Sequence, residues 1–206
     1  RIPNTALFVQ NWNWRDWFSG AHYAPPMLMW CPPTSAPKTK CCSAVESGKY
    51  EWRAALVRQM QGILDIDIYG KMSGRPLEGY HGKAPEGPGE NNKVLGIRDY
   101  AFTLALENRC IPDYITEKLN DAILCEAVPI YRGAPNADLY YLPGSYIPYN
   151  DAAKIEWARW QEEYARRRPA VLKQKELLRT RFNIFSYFDL LTDDLSLLDR
   201  RRPITL

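Results

Sequence analysis

The sequence predicts an α/β domain in which helices flank a parallel β-sheet. Residues 101–106 and 128–131 are apolar runs of strand length, and the segment between them repeats apolar residues at helical spacing. Strand, helix and strand in this order form a βαβ unit, whose crossover is expected to be right-handed. The polar pair Glu107 and Asn108 directly follows the first run, at the strand end where parallel sheets place their ligand crevice. A chain of 206 residues with 46% hydrophobic content can bury one substantial core, but not two complete domains of this kind.

Residues 1–40 are predicted to form a separate segment rich in tryptophan and proline. Its prolines prevent one regular helix, and its aromatic residues are too numerous for a disordered linker. We favour a coil laid over the domain surface, as what remains of a connection to another domain. The alternative is an aromatic platform for an acceptor sugar, since tryptophan faces stack on sugars. The remaining residues, 41–206, are predicted to form the α/β domain.

The first half of that domain is predicted to contain a second strand, helix and strand. Residues 41–45 and 66–69 have strand patterns, and residues 49–64 have the pattern of an amphipathic helix. The apolar positions of this helix are Trp52, Leu56, Met60 and Ile63. Residues 70–99 then change to glycine and proline, which indicates a long loop. We expect His81 to be an exposed residue of this loop rather than a catalyst.

Residues 113–118 are predicted to begin the helix between the two central strands, with Asp113 and Thr116 offering cap oxygens. A helix N-terminus carries unpaired backbone N–H groups and a partial positive charge, and Lys118 adds a full charge. We therefore expect an anion such as phosphate to bind here. Glu117 is a candidate acceptor of hydrogen bonds from sugar hydroxyls. The alternative is that Glu117 only complements the helix dipole and that Lys118 is a solvated charge.

The chain after residue 151 is predicted to be helical and charged. Trp157, Trp160 and Tyr164 share one helical face, and Pro169 is expected to break the helix or to start the next one. Residues 166–168 are three arginines, but glutamates interspersed in the same region favour a solvated, ion-paired helix. A basic protein-interaction surface is the alternative. The apolar residues after position 181 are expected to dock back on the core.

The net charge and the absence of long apolar runs give no support for a nucleic-acid-binding or membrane-spanning chain. The formal net charge of +3 is nearly balanced, so composition does not argue for nucleic acid binding. No apolar run reaches the length needed to span a bilayer. The chain begins with Arg1 rather than methionine and no signal peptide is visible, so we expect a fragment or a processed form.

The cysteines do not predict a metal site. They are Cys31, Cys41, Cys42, Cys110 and Cys125, with no C-x-x-C pair and only two histidines in the chain. We favour small buried thiols for them, with a disulfide involving Cys31 or Cys110 as the alternative. The cysteines therefore do not distinguish an oxidising from a reducing compartment.

The run at residues 105–136, ALENRCIPDYITEKLNDAILCEAVPIYRGAPN, resembles the donor-binding signature of the α1,3/4-fucosyltransferases, the inverting enzymes of glycosyltransferase family 10. A later P-x-SFI segment of that family is echoed by Pro143, Ser145, Tyr146 and Ile147. The resemblance extends over about residues 41–151. It implies a Rossmann-like parallel sheet with flanking helices, similar to the C-terminal half of a GT-B glycosyltransferase, which binds GDP-fucose.

The resemblance also implies roles for individual residues. It assigns catalysis to Glu117 and Lys118, and donor binding to Lys49, Arg53, Glu107, Asn108, Tyr114 and Thr116. Lys49 stands where the family has an arginine that contacts the donor diphosphate, and the family's SN pair is not reproduced. Because lysine lacks the bidentate fork of arginine, either Lys49 acts as a point charge or Arg53 reaches the same oxygens. A solvated basic face for both is the alternative.

The predicted function is therefore the donor-binding part of an enzyme that transfers fucose to a glycan hydroxyl with inversion. The expected partners are GDP-fucose, a glycan acceptor and an N-terminal acceptor domain that supplies the catalytic base. No cofactor and no metal ion is expected to be obligatory. The predicted location is the lumenal side of the Golgi membrane in a eukaryote, or the cytoplasm in a bacterium. The alternative function is a noncatalytic module that binds a nucleotide sugar or a glycan.

Overall fold

The computed structural model describes residues 37–72, 75–83 and 92–180. In this part of the chain, five parallel strands form one sheet in the order β2-β1-β3-β4-β5. The strands are β1 (Lys40–Ser47), β2 (Ile66–Lys71), β3 (Tyr100–Leu106), β4 (Val128–Arg132) and β5 (Ile147–Pro148). The predicted α/β class is confirmed. The predictions for the Trp/Pro-rich segment up to residue 36, for Cys31 and for the apolar end after residue 181 lie outside the described residues.

The central strand β3 is buried at every position, as the sequence of residues 101–106 predicts. A parallel sheet covered on both faces requires such a continuous apolar strand. Phe102 packs edge-to-face against Trp157 and Tyr164, whose ring centroids lie 5.0 and 6.2 Å away. These two aromatic residues, which lie in the C-terminal part of the chain, therefore cover part of one face of the sheet.

Within the described ranges, four α-helices and three short 3₁₀ segments connect and cover the strands. The helices are α1 (Glu51–Gln61), α2 (Asn92–Leu95), α3 (Glu117–Leu124) and α4 (Trp160–Thr180). The 3₁₀ segments are Ala137–Leu139, Tyr149–Lys154 and Trp157–Arg159. None of the helices in the described residues is long and apolar enough to cross a membrane.

The predicted apolar positions of α1 are only partly buried. Met60 is buried and Leu56 packs against the core, but Trp52 is 37% exposed, and Ile63, which follows the end of the helix, is 39% exposed. Arg53, a charged residue, is buried on this helix. The physical reason is an ion pair: the Arg53 side chain turns inward to Glu46 on β1, and the helix presents the Arg53 side to the sheet. A pattern of apolar residues alone cannot predict a buried arginine.

The segment predicted as a structureless loop, residues 70–99, contains ordered structure. Residues 79–82 run beside β2, where Ile68 N donates to Gly79 O at 2.8 Å and His81 N donates to Ile68 O at 2.9 Å. His81 is exposed, as predicted, and its Nε2 lies 2.8 Å from Asp67 Oδ1. The short helix α2 follows before β3. The outer edge of β2 is therefore covered by the chain's own backbone.

Helix α4 runs through Pro169 without a break, which corrects the prediction that the helix ends or restarts there. Pro169 removes one backbone hydrogen bond, but packing against the sheet and α3 holds the helix. Lys175 Nζ lies 2.8 Å from Glu126 Oε1 in a pair with side-chain exposures of 4% and 3%. Tyr164 OH donates to the Glu126 carbonyl at 2.9 Å. Glu126 has a left-handed backbone (φ 60°), so this helix is tied to a strained corner before β4.

The predicted ion pairing of the arginine run is confirmed. Arg166 and Arg167 pair with Glu163 at 2.7 and 2.6 Å, and Arg168 pairs with Glu126 at 3.7 Å. Each of these three arginines therefore has a carboxylate partner on the chain itself.

The cysteines that the structure describes are all free thiols: Cys41, Cys42, Cys110 and Cys125. Burial raises the pKa of Cys125 to about 12, with Asp121 contributing in the same direction. Among the described residues no group of histidine, cysteine, aspartate and glutamate is placed to hold a metal ion.

Candidate functional site

A cavity of about 520 Å³ opens at the carboxyl ends of β1 and β3. These strands are neighbours in the sheet, and the chain leaves them in opposite directions along it. Ligands of open parallel sheets bind at such a reversal of strand order. Seven of the eight predicted site residues line the cavity: Lys49, Arg53, Asn108, Tyr114, Thr116, Glu117 and Lys118.

The eighth, Glu107, lies behind the cavity wall and has no exposed surface. Its Oε1 accepts a hydrogen bond from Thr116 N at 2.5 Å, and its Oε2 accepts one from Thr116 Oγ1 at 2.6 Å. Lys118 Nζ lies 3.5 Å from Oε2. Burial raises the pKa of Glu107, although Lys118 and the bonds from Thr116 act in the opposite direction. Glu107 therefore anchors the start of α3 from beneath.

Thr116 occupies the N-cap position of α3 with an extended backbone, as predicted, but its hydroxyl does not cap the helix. The hydroxyl instead donates to Glu107 and accepts from Lys118 Nζ at 2.8 Å. The first-turn N–H groups of α3 consequently have no side-chain cap within the described structure. Such N–H groups, together with the helix dipole, favour an anion.

Two charged side chains of opposite sign stand at this helix start. Lys118 Nζ is 3.3 Å from Glu117 Oε1, and both side chains are about one-sixth exposed, at 16% and 17%. Burial acts to raise the pKa of Glu117, but the charges of Lys93 and Lys118 outweigh it and lower the pKa to about 2. Glu117 is therefore an ionised acceptor at neutral pH, and Lys118 is a donor beside it.

Lys93 on α2 is a residue of this site that sequence reasoning missed. Its Nζ lies 3.3 Å from Glu117 Oε1 and 2.5 Å from Asp121 Oδ2. Burial alone would lower the pKa of Lys93, but the two carboxylates raise it above its usual value. The glycine- and proline-rich sequence around α2 predicts only a loop. Nothing in that local pattern indicates that Lys93 contacts α3.

Arg53 is buried, which excludes for this residue the alternative of a solvated basic face. Its Nη2 lies 3.1 Å from Glu46 Oε1, and Nη1 lies 3.4 Å from Asn108 Oδ1. The Arg53 and Glu46 side chains are each 5% exposed. Burial raises the pKa of Glu46, with Arg53 opposing that rise. Arg53 Nε is buried with no hydrogen-bond partner in the described residues.

Lys49 stands at the mouth of the same cavity and is exposed. It follows Gly48, whose positive φ of 69° makes the turn out of β1. The structure pairs Lys49 with no carboxylate among the residues it describes. Lys49 is thus a solvated charge at the entrance of the cavity. Arg53 is a buried guanidinium in the cavity wall, held by Glu46.

Comparison with known proteins identifies the family. Residues 34–176 match the family model described as glycosyltransferase family 10 (fucosyltransferase), C-terminal part. The chain belongs to this family. Over 102 residues it is 34% identical to alpha-(1,3)-fucosyltransferase 7 of Mus musculus, which covers 48% of the chain and 23% of that protein. Over 179 residues it is 30% identical to 4-galactosyl-N-acetylglucosaminide 3-alpha-L-fucosyltransferase FUT6 of Pan troglodytes, with 83% and 45% covered.

A solved structure of an alpha1,3-fucosyltransferase with GDP has the same fold, with a TM-score of 0.52 at 20% identity. The match covers 82% of this chain and 50% of that one. This family 10 chain therefore spans half or less of the length of these relatives. Its cavity brings together the predicted residues of the loops after β1 and β3 and of helices α1 and α3, and adds Lys93 and Glu46 to them.

Proposed function

We propose that this chain is the donor-binding part of a fucosyltransferase, which transfers L-fucose from GDP-fucose to a glycan hydroxyl with inversion. The observation that carries the proposal is the convergence of Lys49, Asn108, Glu117 and Lys118 on one cavity at the reversal point of the sheet. The glycan acceptor and a Golgi location in a eukaryotic host belong to the same proposal, and family membership supports them.

The diphosphate is assigned to the start of α3. Lys118 and the uncapped N–H groups of the first turn supply positive charge there, and Lys49 faces the same space from the loop after β1. As the bond between the fucose anomeric carbon and the phosphate oxygen breaks, negative charge grows on the diphosphate. Fixed cationic groups at that point stabilise the transition state.

The hexose is assigned to Glu117. A carboxylate with a pKa of about 2 is ionised at neutral pH and accepts hydrogen bonds from sugar hydroxyls. The acceptor oxygen attacks the anomeric carbon from the side opposite the diphosphate, and its proton passes to a carboxylate base. We assign this base to the N-terminal domain of the complete enzyme.

Titration calorimetry with GDP and GDP-fucose tests the proposal. The wild-type chain is expected to bind both, and Lys118→Met is expected to weaken binding of GDP by about tenfold or more, as loss of a charge-assisted contact predicts. Lys173→Met is the matched control, because Lys173 is an exposed lysine on α4 outside the cavity. A folded wild-type chain that does not bind GDP would contradict the proposal.

A further inference from the structure

Lys93 reaches from α2 onto α3 and contacts two of its carboxylates, Glu117 and Asp121. We propose that Lys93 is a positioning residue of the donor site: it shares the Glu117 carboxylate with Lys118, so that Glu117 does not depend on Lys118 alone and Lys118 stays available for the diphosphate. This inference rests on the function proposed above and adds a residue to it. Lys93 lies outside the run at residues 105–136 from which the site residues on α3 were predicted.

The need for such a residue follows from the spacing of the two acids. Glu117 and Asp121 are four residues apart on α3, and like charges at this spacing repel each other on a helix. The Asp121 carboxylate is largely buried, with 12% of its side chain exposed. Lys93 Nζ lies between the two carboxylates, 2.5 Å from Asp121 and 3.3 Å from Glu117. One ammonium group thus contacts both acids and reduces their mutual repulsion.

The charges at the start of α3 show how Lys93 affects Lys118. Three carboxylates lie at this turn, those of Glu107, Glu117 and Asp121, and two ammonium groups, those of Lys93 and Lys118, contact them. Lys118 Nζ is as close to Glu117 Oε1 as Lys93 Nζ is, at 3.3 Å. If Lys93 lost its charge, Glu117 would keep Lys118 as its cation. A diphosphate would then compete with Glu117 for Lys118 and would meet an uncompensated carboxylate.

Lys93 is expected to affect GDP binding through Glu117. Lys93→Met should weaken GDP binding at least about tenfold, because it leaves Glu117 with Lys118 as its remaining cation at the anion site. Lys93→Arg should keep most of the affinity, since it retains the charge. In Glu117→Gln, where the competing carboxylate is gone, adding Lys93→Met should change GDP affinity by less than about threefold.

The experiment is a double-mutant cycle of Lys93→Met and Glu117→Gln, with GDP affinity measured by calorimetry and folding checked by circular dichroism. Lys173→Met is the charge-matched control and should bind GDP as the wild type does. Where Lys93→Met does not fold, Lys93→Gln, which keeps a hydrogen-bond donor for Asp121, replaces it in the cycle.

The outcomes separate the inference from the proposed function. A wild-type chain that does not bind GDP overturns the donor site itself. A wild-type chain that binds GDP while Lys93→Met binds equally well overturns the role of Lys93 alone. Equal losses from Lys93→Met with Glu117 and with Gln at position 117 also overturn it, because the effect would not pass through Glu117.

Discussion

Both oxygens of the Glu107 carboxylate accept hydrogen bonds from Thr116, one from its backbone N–H at 2.5 Å and one from its hydroxyl at 2.6 Å. The end of the buried strand β3 and the start of α3 are thereby joined by a single side chain. This bond pattern fixes the angle at which the helix N-terminus meets the cavity. It also explains why Thr116 does not cap its own helix.

Glu107→Gln tests this anchor. The amide oxygen can still accept from the Thr116 N–H, but the NH₂ group cannot accept from the Thr116 hydroxyl, so the buried bond from that hydroxyl to a charged acceptor is lost. We expect the free energy of unfolding to fall by about 1–3 kcal/mol. Urea unfolding followed by circular dichroism measures it. Glu78→Gln on the exposed loop beside β2 is the control, and an equal effect of both variants would contradict the prediction.

Gly133→Ala tests how closely the chain after β4 approaches this anchor. A methyl group at Gly133 would lie 2.1 Å from Tyr131 OH and 2.5 Å from Glu107 Cγ. Because these neighbours are buried, we expect a loss of stability of about 1–3 kcal/mol or more from overpacking. Thermal unfolding checks this expectation. Gly62→Ala, whose nearest neighbour is Gln59 O at 3.2 Å, should cost clearly less.

The pH dependence of stability tests the charge environment of Glu117. The folded-state pKa of about 2 lies below the ordinary value of about 4.3 for glutamate. The stabilisation is therefore complete above pH of about 4.3, and it is lost as the pH falls toward about 2. Over that window the wild type should lose about 2–3 kcal/mol that Glu117→Gln does not lose.

Denaturant unfolding of both proteins at several pH values measures this difference. Other carboxylates titrate in the same range in both proteins, so only the difference between the two curves reports on Glu117. Parallel curves between pH values of about 2 and 4.3 would show that Glu117 has no depressed pKa.

Arg53→Met tests whether Arg53 is held by Glu46 as a structural pair. The substitution leaves the Glu46 carboxylate buried without its cation, and we expect a loss of about 3–5 kcal/mol. Adding Glu46→Gln should restore a large part of it, because no uncompensated charge then remains. Urea unfolding of the single and double variants measures the coupling. Additive losses would exclude a direct energetic link between these side chains.

Lys175→Met tests the attachment of α4. Lys175 and Glu126 form a buried pair, and the variant leaves Glu126 buried with Arg168 at 3.7 Å as its remaining cation. We expect a loss of about 3 kcal/mol, compared with less than about 0.5 kcal/mol for exposed Lys173→Met on the same helix. The midpoint of urea unfolding compares the two. A similar midpoint for both variants would argue against this pair as an anchor.

The sequence was sufficient to predict the parallel sheet and most residues around the cavity, for a physical reason. A strand buried on both faces must be a continuous apolar run, and residues 101–106 satisfy this requirement. Residues that follow strands β1 and β3 must meet at one edge of a parallel sheet. Asn108, Lys118 and Lys49 therefore lie together for reasons of topology alone.

The parts that the sequence did not predict depend on contacts between different helices and strands. Lys93 pairs with Glu117 across 24 positions, and Arg53 turns inward because Glu46 lies on the neighbouring strand. Pro169 remains inside α4 because tertiary packing outweighs its intrinsic preference to end a helix. The periodicity of one helix contains no information about the partners that other helices and strands provide.

The backbone of residues 79–82 occupies hydrogen-bonding groups along the outer side of β2. A β-sheet border that is already bonded offers no template on which a foreign chain can add a strand. Self-association through continuous sheet growth is therefore blocked on this side of the molecule. Deletion of residues 79–82 would uncover this border, and concentrated solutions of such a variant should form fibrous or amorphous deposits that light scattering detects.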